Sequence, residues 1–96
     1  MSDVISVAVA ALGAKMANGF TAGVAKFVIP GEGAIMADKD GVRAGDEEAD
    51  VTLIASAEVF RAILEGDLNP TMAFMTGKLS VDGNMGLAMK LGSVLG

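Results

Sequence analysis

Residues 49–95 have the sequence ADVTLIASAEVFRAILEGDLNPTMAFMTGKLSVDGNMGLAMKLGSVL. Along this stretch the spacing of apolar residues changes from every second residue to about every 3.6 residues and back. Residues 51–55 alternate between two faces and predict a strand. Ser56 predicts the N-cap of a helix that ends at Gly66. The apolar stripe of this helix consists of Val59, Phe60, Ile63 and Leu64.

The second half of this stretch continues with the same kinds of signal. Asn-Pro at 69–70 predicts a helix cap and the first residue of a short helical turn over 71–76. Residues 78–82 alternate cleanly and predict another strand. Gly-Asn at 83–84 then predicts the start of a last helix, residues 85–95.

The N-terminal half predicts one helix followed by strands. The helix covers residues 3–18, with Ser2 or Asp3 as its cap. Turn signals rich in Gly and Asp separate three strands, over residues 24–29, 34–37 and 42–45. Because the links have hairpin length, we expect antiparallel pairing. The order of elements predicts one α+β domain over residues 1–96, with a sheet covered on one side.

The predicted last helix is apolar around most of its circumference. Its broad apolar face consists of Met85, Ala88, Leu91, Gly92 and Leu95. Its thin polar face consists of Lys90, Ser93 and Gly86, with Leu87 and Val94 at the flanks. A helix of this kind is normally buried on both sides. We therefore expect a ligand, a bilayer surface or a second copy of the chain against it; the alternative is simple core packing.

Methionine is concentrated in the last third of the chain, at Met72, Met75, Met85 and Met89. Its flexible thioether adapts to irregular apolar shapes and is common at binding surfaces that accept several ligands. The alternative is that these residues fill gaps in an ordinary core. The cluster favours an apolar binding site without deciding between the two.

The composition excludes several classes of function. A net charge of −5 makes nucleic acid an unfavourable partner. Cys and His are absent, which removes disulfides and the commonest general base and metal ligand. The start of the sequence lacks the basic residues of a signal peptide, and no apolar run reaches the length of a membrane span. We therefore expect a cytoplasmic protein.

No local motif predicts a catalytic, metal or cofactor site. Residues 36–47 fit a calcium loop in part, but Met36 and Arg43 stand where that loop needs other residue types. The acidic run at 46–50 is typical of a solvated loop. Gly-Glu-Gly at 31–33 lacks the third glycine of a dinucleotide motif, and no serine has a His to activate it.

Four motifs resemble the C-terminal half of the sterol-carrier-protein-2 domain. They are ADVTL at 49–53, VFRAILEGDLNP at 59–70, AFMTGKL at 73–79 and DGNMGLAMKL at 82–91. GVAKFVI at 23–29, followed by GEGAIMADKDGV, is similar to the first two strands of that domain and their turn. On these motifs the sequence is identified as a member of the family, and it resembles the stand-alone form found in bacteria.

The resemblance implies an α+β fold: a mostly antiparallel five-stranded sheet, covered on one face by helices, with an apolar tunnel between them. Members of the family carry sterols, fatty acids, fatty acyl-CoAs or phospholipids and do no chemistry on them. The role of lining the tunnel transfers to positions within the matched motifs, namely Phe60, Ile63, Leu64, Phe74, Met75, Leu79, Val81, Met85, Leu87, Ala88, Met89 and Leu91.

The predicted function is therefore non-enzymatic binding and carriage of a lipid. In the stand-alone form a fatty acid, acyl-CoA or phospholipid is a better candidate than a sterol. The alternative is an accessory domain that docks its last helix on a partner protein. Lys78 and Lys90 are candidates for contact with a carboxylate or phosphate headgroup, or else are solvated surface lysines. Transient membrane contact, a partner enzyme and any oligomeric state remain open.

Overall fold

The computed structural model describes residues 4–95. Along the chain, helices precede and follow a run of four strands, and a fifth strand lies between the last two helices. The elements in chain order are α1 (Val4–Lys15), β1 (Ala25–Ile29), β2 (Gly33–Asp38), β3 (Gly41–Ala44), β4 (Val51–Ala55), α2 (Ala57–Leu64), α3 (Pro70–Met75), β5 (Leu79–Gly83) and α4 (Met85–Leu95). The strand over residues 51–55 and the helix over 85–95 are confirmed at both ends. The predicted caps Ser2 and Asp3 lie outside the described residues.

The strands form one five-stranded sheet in the order β3-β2-β1-β4-β5. β1 with β2, β2 with β3, and β4 with β5 are antiparallel pairs, whereas β1 and β4 are parallel. The sheet is therefore mixed but mostly antiparallel, as predicted. The parallel pair joins the β1–β2–β3 meander to the antiparallel pair β4–β5. α2 and α3 lie between β4 and β5 in the chain, and α2 packs against α1.

Glycines with positive φ form the turns of the two N-terminal hairpins. Gly31 (φ +83°) lies between β1 and β2, and Gly41 (φ +118°) begins β3. Other residues rarely adopt these angles, so the glycines fix where each strand reverses. These turns position β1 beside β2 and leave the other side of β1 free to pair with β4.

One face of the sheet packs against the helices and forms the core. Along β1, Phe27 and Ile29 are buried, whereas Val28 points to the other face and is only half-buried. The other elements contribute buried side chains that include Leu12, Ile35, Val51, Leu53, Phe60, Ile63, Leu91 and Leu95. The prediction of a sheet covered on one face by helices is therefore confirmed.

The loop between β3 and β4 lies across part of the opposite face. It buries Met36, whose Sδ accepts a hydrogen bond from the N–H of Glu47 at 3.5 Å. The Lys26 Nζ lies 2.9 Å from a carboxylate oxygen of Asp46, and Arg43 lies 3.5 Å from Glu47. The acidic run thus has solvated carboxylates, as expected, and two of them also hold the loop over Met36.

The segment compared with a calcium loop contains a β-hairpin and an ion pair. The carboxylate of Asp38 accepts hydrogen bonds from Arg43 at 3.1 and 3.0 Å. Within residues 4–95, no group of three or more acidic, His or Cys side chains is arranged to hold a metal ion. The helices of this part of the chain are all too short to cross a membrane.

Candidate functional site

The helix α4 presents two apolar faces to different surroundings. Leu87, Leu91 and Leu95 are buried in the core that the sheet and the helices share. Met85 and Met89 lie on a different face, which borders an open groove. An α-helix repeats every 3.6 residues, so these two rows of positions four apart are separated on the helix by the row of Ala88 and Gly92. One row anchors the helix and the other remains available to a ligand.

The two residues at the flanks of the polar face of α4 differ in exposure. Leu87, which lies beside Lys90 on the helical wheel, is buried in the core. A Cβ on Gly23 would lie 2.8 Å from a methyl group of Leu87, so the bare backbone of Gly23 makes room for it. Val94, predicted on the other flank, is 39% exposed.

A groove of about 530 Å³ lies between α3, β5 and α4 and is open to solvent. Its lining is Leu53, Asn69, Pro70, Thr71, Phe74, Leu79, Val81, Met85, Ala88, Met89, Gly92, Ser93 and Leu95. The groove occupies the space between the sheet and the last helix in which the family resemblance implies a tunnel. A passage enclosed on all sides remains a prediction.

The cap of α3 orients the first wall of this groove. Asn69 has an extended backbone, and its side-chain oxygen accepts the N–H of Thr71 at 2.8 Å. Pro70 and Ala73 are buried, which fixes the inward face of this short helix. Thr71 and Phe74, one position further along, therefore face the groove. The predicted Asn-Pro helix start is confirmed.

The junction between β5 and α4 orients the second wall. Gly83 has φ +99°, and a Cβ there would lie 2.5 Å from the carbonyl oxygen of Asp50. The N–H of Asn84 donates to that same carbonyl at 2.9 Å. The side-chain oxygen of Asn84 accepts the N–H of Leu87 at 3.1 Å and caps α4. These contacts fix the start of α4 against the end of the sheet.

The groove is apolar and uncharged. The side chains that line it among the described residues carry no formal charge, and its polar groups come from Asn69, Thr71 and Ser93. Lys78 and Lys90, the candidate headgroup contacts, are exposed and lie outside this lining. Neither lysine forms an ion pair within residues 4–95. The interior of the groove therefore suits a hydrocarbon, and any charged headgroup would remain at its edge.

The predicted lining residues fall into four places. Six of them meet in this groove, namely Phe74, Leu79, Val81, Met85, Ala88 and Met89. Phe60 and Leu64 border a second groove of about 450 Å³ between α1 and α2. Three are buried in the core, namely Ile63, Leu87 and Leu91. Met75 is 72% exposed on the outer side of α3. Contact of these residues with lipid stays a prediction.

Seven residues of the groove were not among the predicted lining residues. These are Leu53, Asn69, Pro70, Thr71, Gly92, Ser93 and Leu95. Gly92 and Leu95 share a helical face with Met85, and Leu53 lies on the inward face of its strand, so periodicity contained the signal for these three. The cap residues gave no such signal, because a capping role does not reveal what else the residue contacts.

Comparison with known proteins identifies the family. Residues 10–96 match the model of the SCP-2 sterol transfer family. The chain belongs to this family. Among SCP-2 structures, the crystal structure of sterol carrier protein 2 like 2 from Aedes aegypti has a TM-score of 0.72 and 29% identity, with 95% of this chain and 92% of that chain covered.

Two further proteins are similar to this chain. The solution structure of palmitated SCP2L2 from Aedes aegypti has a TM-score of 0.67 and 28% identity, covering 96% of this chain and 90% of that chain. Hydroxysteroid dehydrogenase-like protein 2 of Xenopus laevis is 40% identical over 84 residues, which are 79% of this chain and 20% of that protein. The chain spans about a fifth of the length of the first curated relatives it matches.

Proposed function

We propose that this chain binds one lipid with its acyl chain in the groove between α3, β5 and α4, and carries it without chemical change. One observation supports this most: six apolar residues predicted to contact lipid converge on a single uncharged groove from three different elements. The volume of about 530 Å³ is within the usual range of about 300–1,000 Å³ for small-ligand sites.

The physical basis of binding is the removal of methylene groups from water. Each buried methylene contributes about 0.8 kcal/mol, so a run of ten would contribute about 8 kcal/mol before ordering costs. No directed polar contact is needed for that gain. Because one methylene more or less changes affinity by little, we expect broad chain-length specificity.

An acyl chain is a better candidate than a sterol for this groove. The relative described as palmitated has a comparable fold at 28% identity, which supports a C16 fatty acid as the first ligand to test. Fatty acyl-CoA and phospholipid have the same chain with a larger headgroup, which would remain outside the groove near solvent.

The lining also supports carriage rather than catalysis. Its hydroxyl groups are those of Thr71 and Ser93, and the chain contains no His to activate them. The Ser93 hydroxyl donates to the carbonyl of Met89 at 3.3 Å, an arrangement typical of a hydroxyl on a helix surface. The relatives that carry the matched segment within a much longer chain are consistent with presentation of a lipid to an enzyme.

The decisive variant is at Gly92, which lies on the groove face of α4. A Cβ at this position would lie 4.0 Å from Cβ of Pro70, an ordinary van der Waals distance. Gly92→Ala should therefore leave the groove open, whereas Gly92→Phe should fill it. Gly13→Phe is the matched control, because a Cβ on Gly13 in α1 meets nothing within 4 Å.

The measurement is displacement of a fluorescent fatty acid by palmitate, with native mass spectrometry of each protein as purified. We expect Gly92→Phe to weaken binding at least about tenfold, while Gly92→Ala and Gly13→Phe stay within about twofold of the parent. Equal binding by Gly92→Phe would mean that the acyl chain lies elsewhere. Absence of fatty-acid binding by the parent chain would reject the proposed function itself.

A further inference from the structure

The methionines within residues 4–95 fall into two classes of exposure. Met16 and Met36 are buried, and the Sδ of Met36 also accepts the N–H of Glu47. The others are exposed on α3 and α4, namely Met72, Met75, Met85 and Met89. The chain contains no Cys, so methionine supplies all of its sulfur. An oxidant in solvent therefore has access to four thioether side chains in this part of the chain.

The exposed methionines form two pairs that differ in their relation to the groove. Met85 and Met89 line it, whereas Met72 and Met75 lie outside its lining. Exposure is matched between the pairs, at 48% for Met85 and 53% for Met72, and at 73% for Met89 and 72% for Met75. A difference between the pairs in the effect of oxidation therefore reports on the groove and not on exposure.

We infer that Met85 and Met89 form an oxidation site at which a peroxide turns off the binding of an acyl chain. The sulfur lone pair attacks one oxygen of hydrogen peroxide, and the S–O bond forms as the O–O bond breaks. The departing hydroxide takes the proton of the transferred oxygen and leaves as water. The sulfur loses two electrons, the peroxide gains them, and the product is methionine sulfoxide. This inference rests on the proposed function, since it concerns regulation of the same groove.

The physical cause of the lost binding is the change in polarity of the lining. A sulfoxide places a strong hydrogen-bond acceptor on a surface that otherwise contacts hydrocarbon. An acyl chain that covers this oxygen removes its hydrogen bonds to water and supplies none in return, which is unfavourable. A sulfoxide on Met72 or Met75 stays in water, because neither residue lines the groove. Methionine sulfoxide reductases reverse the reaction, so the site can return to its binding form.

The first test measures palmitate binding before and after oxidation. Mild hydrogen peroxide is applied until peptide mass spectrometry shows sulfoxide at Met85 and Met89, with Met16 and Met36 unmodified. We expect oxidation to weaken displacement of a fluorescent fatty acid by palmitate roughly tenfold in the parent. Treatment with methionine sulfoxide reductases A and B should restore the starting affinity. Unchanged affinity after full oxidation of both groove methionines would overturn the inference.

The second test assigns the effect to the groove pair. Met85→Leu with Met89→Leu removes the two groove thioethers at similar volume, and Met72→Leu with Met75→Leu is the matched control. Each variant is compared with itself before and after peroxide, so a change in its starting affinity does not enter the result. We expect the groove variant to change within about twofold and the control to weaken roughly tenfold, as the parent does. Equal weakening of both variants would overturn the inference.

Protection by palmitate connects the oxidation site to the bound chain. An acyl chain in the groove should slow oxidation of Met85 and Met89 at least about fivefold and leave the rates at Met72 and Met75 within about twofold. Equal protection of all four residues at saturating palmitate would overturn the inference. Absence of palmitate binding by the unoxidised parent would reject the proposed function, whereas binding that does not respond to oxidation would reject this inference alone.

Discussion

The ring of Phe60 on α2 meets the ring of Phe27 on β1 edge to face, with centroids 5.9 Å apart and planes at 77°. Both rings are buried, so this contact ties the second helix to the centre of the sheet. Phe60, predicted as a lipid contact, is therefore part of the core.

A double-mutant cycle measures this contact. Phe27→Leu, Phe60→Leu and the double variant remove the ring pair while keeping apolar bulk. Since edge-to-face pairs contribute beyond buried area, we expect a coupling free energy of about 0.5–1.5 kcal/mol in urea unfolding. Costs that add without coupling would mean that the rings stabilise the fold by burial alone.

The ion pair between Asp38 and Arg43 predicts a pH dependence. The side-chain hydrogen bond from Arg43, followed by the N–H of Asp40, lowers the pKa of the Asp38 carboxyl below its ordinary value of 3.8. A lowered pKa in the folded state stabilises the protein above the ordinary pKa, and that contribution is lost as pH falls through the folded value. At pH values below about 4, we expect the urea midpoint to decrease more steeply with falling pH in the parent than in Asp38→Asn.

The control for that experiment removes the cation. Arg43→Met should also reduce the decrease of the urea midpoint with falling pH, because it removes the group that favours the ionised carboxylate of Asp38. If the midpoint decreases equally steeply in the parent and both variants, other carboxyl groups control acid unfolding.

The cap of α4 should contribute to the stability of the wall that borders the groove. Asn84→Ala removes the acceptor for the N–H of Leu87 and should cost about 1 kcal/mol in free energy of unfolding. Ser56→Ala, which removes the equivalent bond to Val59 at α2, is the matched control and should cost a similar amount. Amide hydrogen exchange should speed up in the first turn of α4 in the first variant only.

Two glycines should respond in opposite directions to the same substitution. Gly13 lies within α1 with free space around it, so Gly13→Ala should raise the free energy of unfolding by about 0.5–1 kcal/mol. Gly83 has φ +99° and lies against the Asp50 carbonyl, so Gly83→Ala should lower it by at least about 1 kcal/mol. Equal effects in urea unfolding would contradict the assigned backbone at residue 83.

Local signals in the sequence predicted most elements because their causes are local. The strand over residues 51–55 follows from strict alternation, and the start of α3 follows from the hydrogen-bonding ability of Asn69 and the fixed φ of Pro70. The first helix ends at Lys15 instead of residue 18, because a helix end depends on contacts as well as on local signals. The parallel pairing of β1 with β4 has no local signal at all.

The residues of the groove were predicted only in part, because local signals do not determine how the helices pack on the sheet. Phe74, Met85 and Met89 were expected to lie together, and they do line one groove. A helical wheel gives the relation of side chains to each other but not the rotation of the helix against the sheet, so it did not show that Leu87 is buried in the core. That rotation depends on the space left by Gly23, which is 64 positions away in the chain and adjacent only in the fold.

The amino-acid sequence by itself determined the element types, the helix caps, the hairpin turns and an excess of apolar residues near its end, since each depends on residues close together in the chain. Only the tertiary structure decided which apolar residues of α3 and α4 fill the core, which line the groove and which face outward. That division depends on how two short helices are tilted and rotated over the sheet, and packing between distant residues sets those angles.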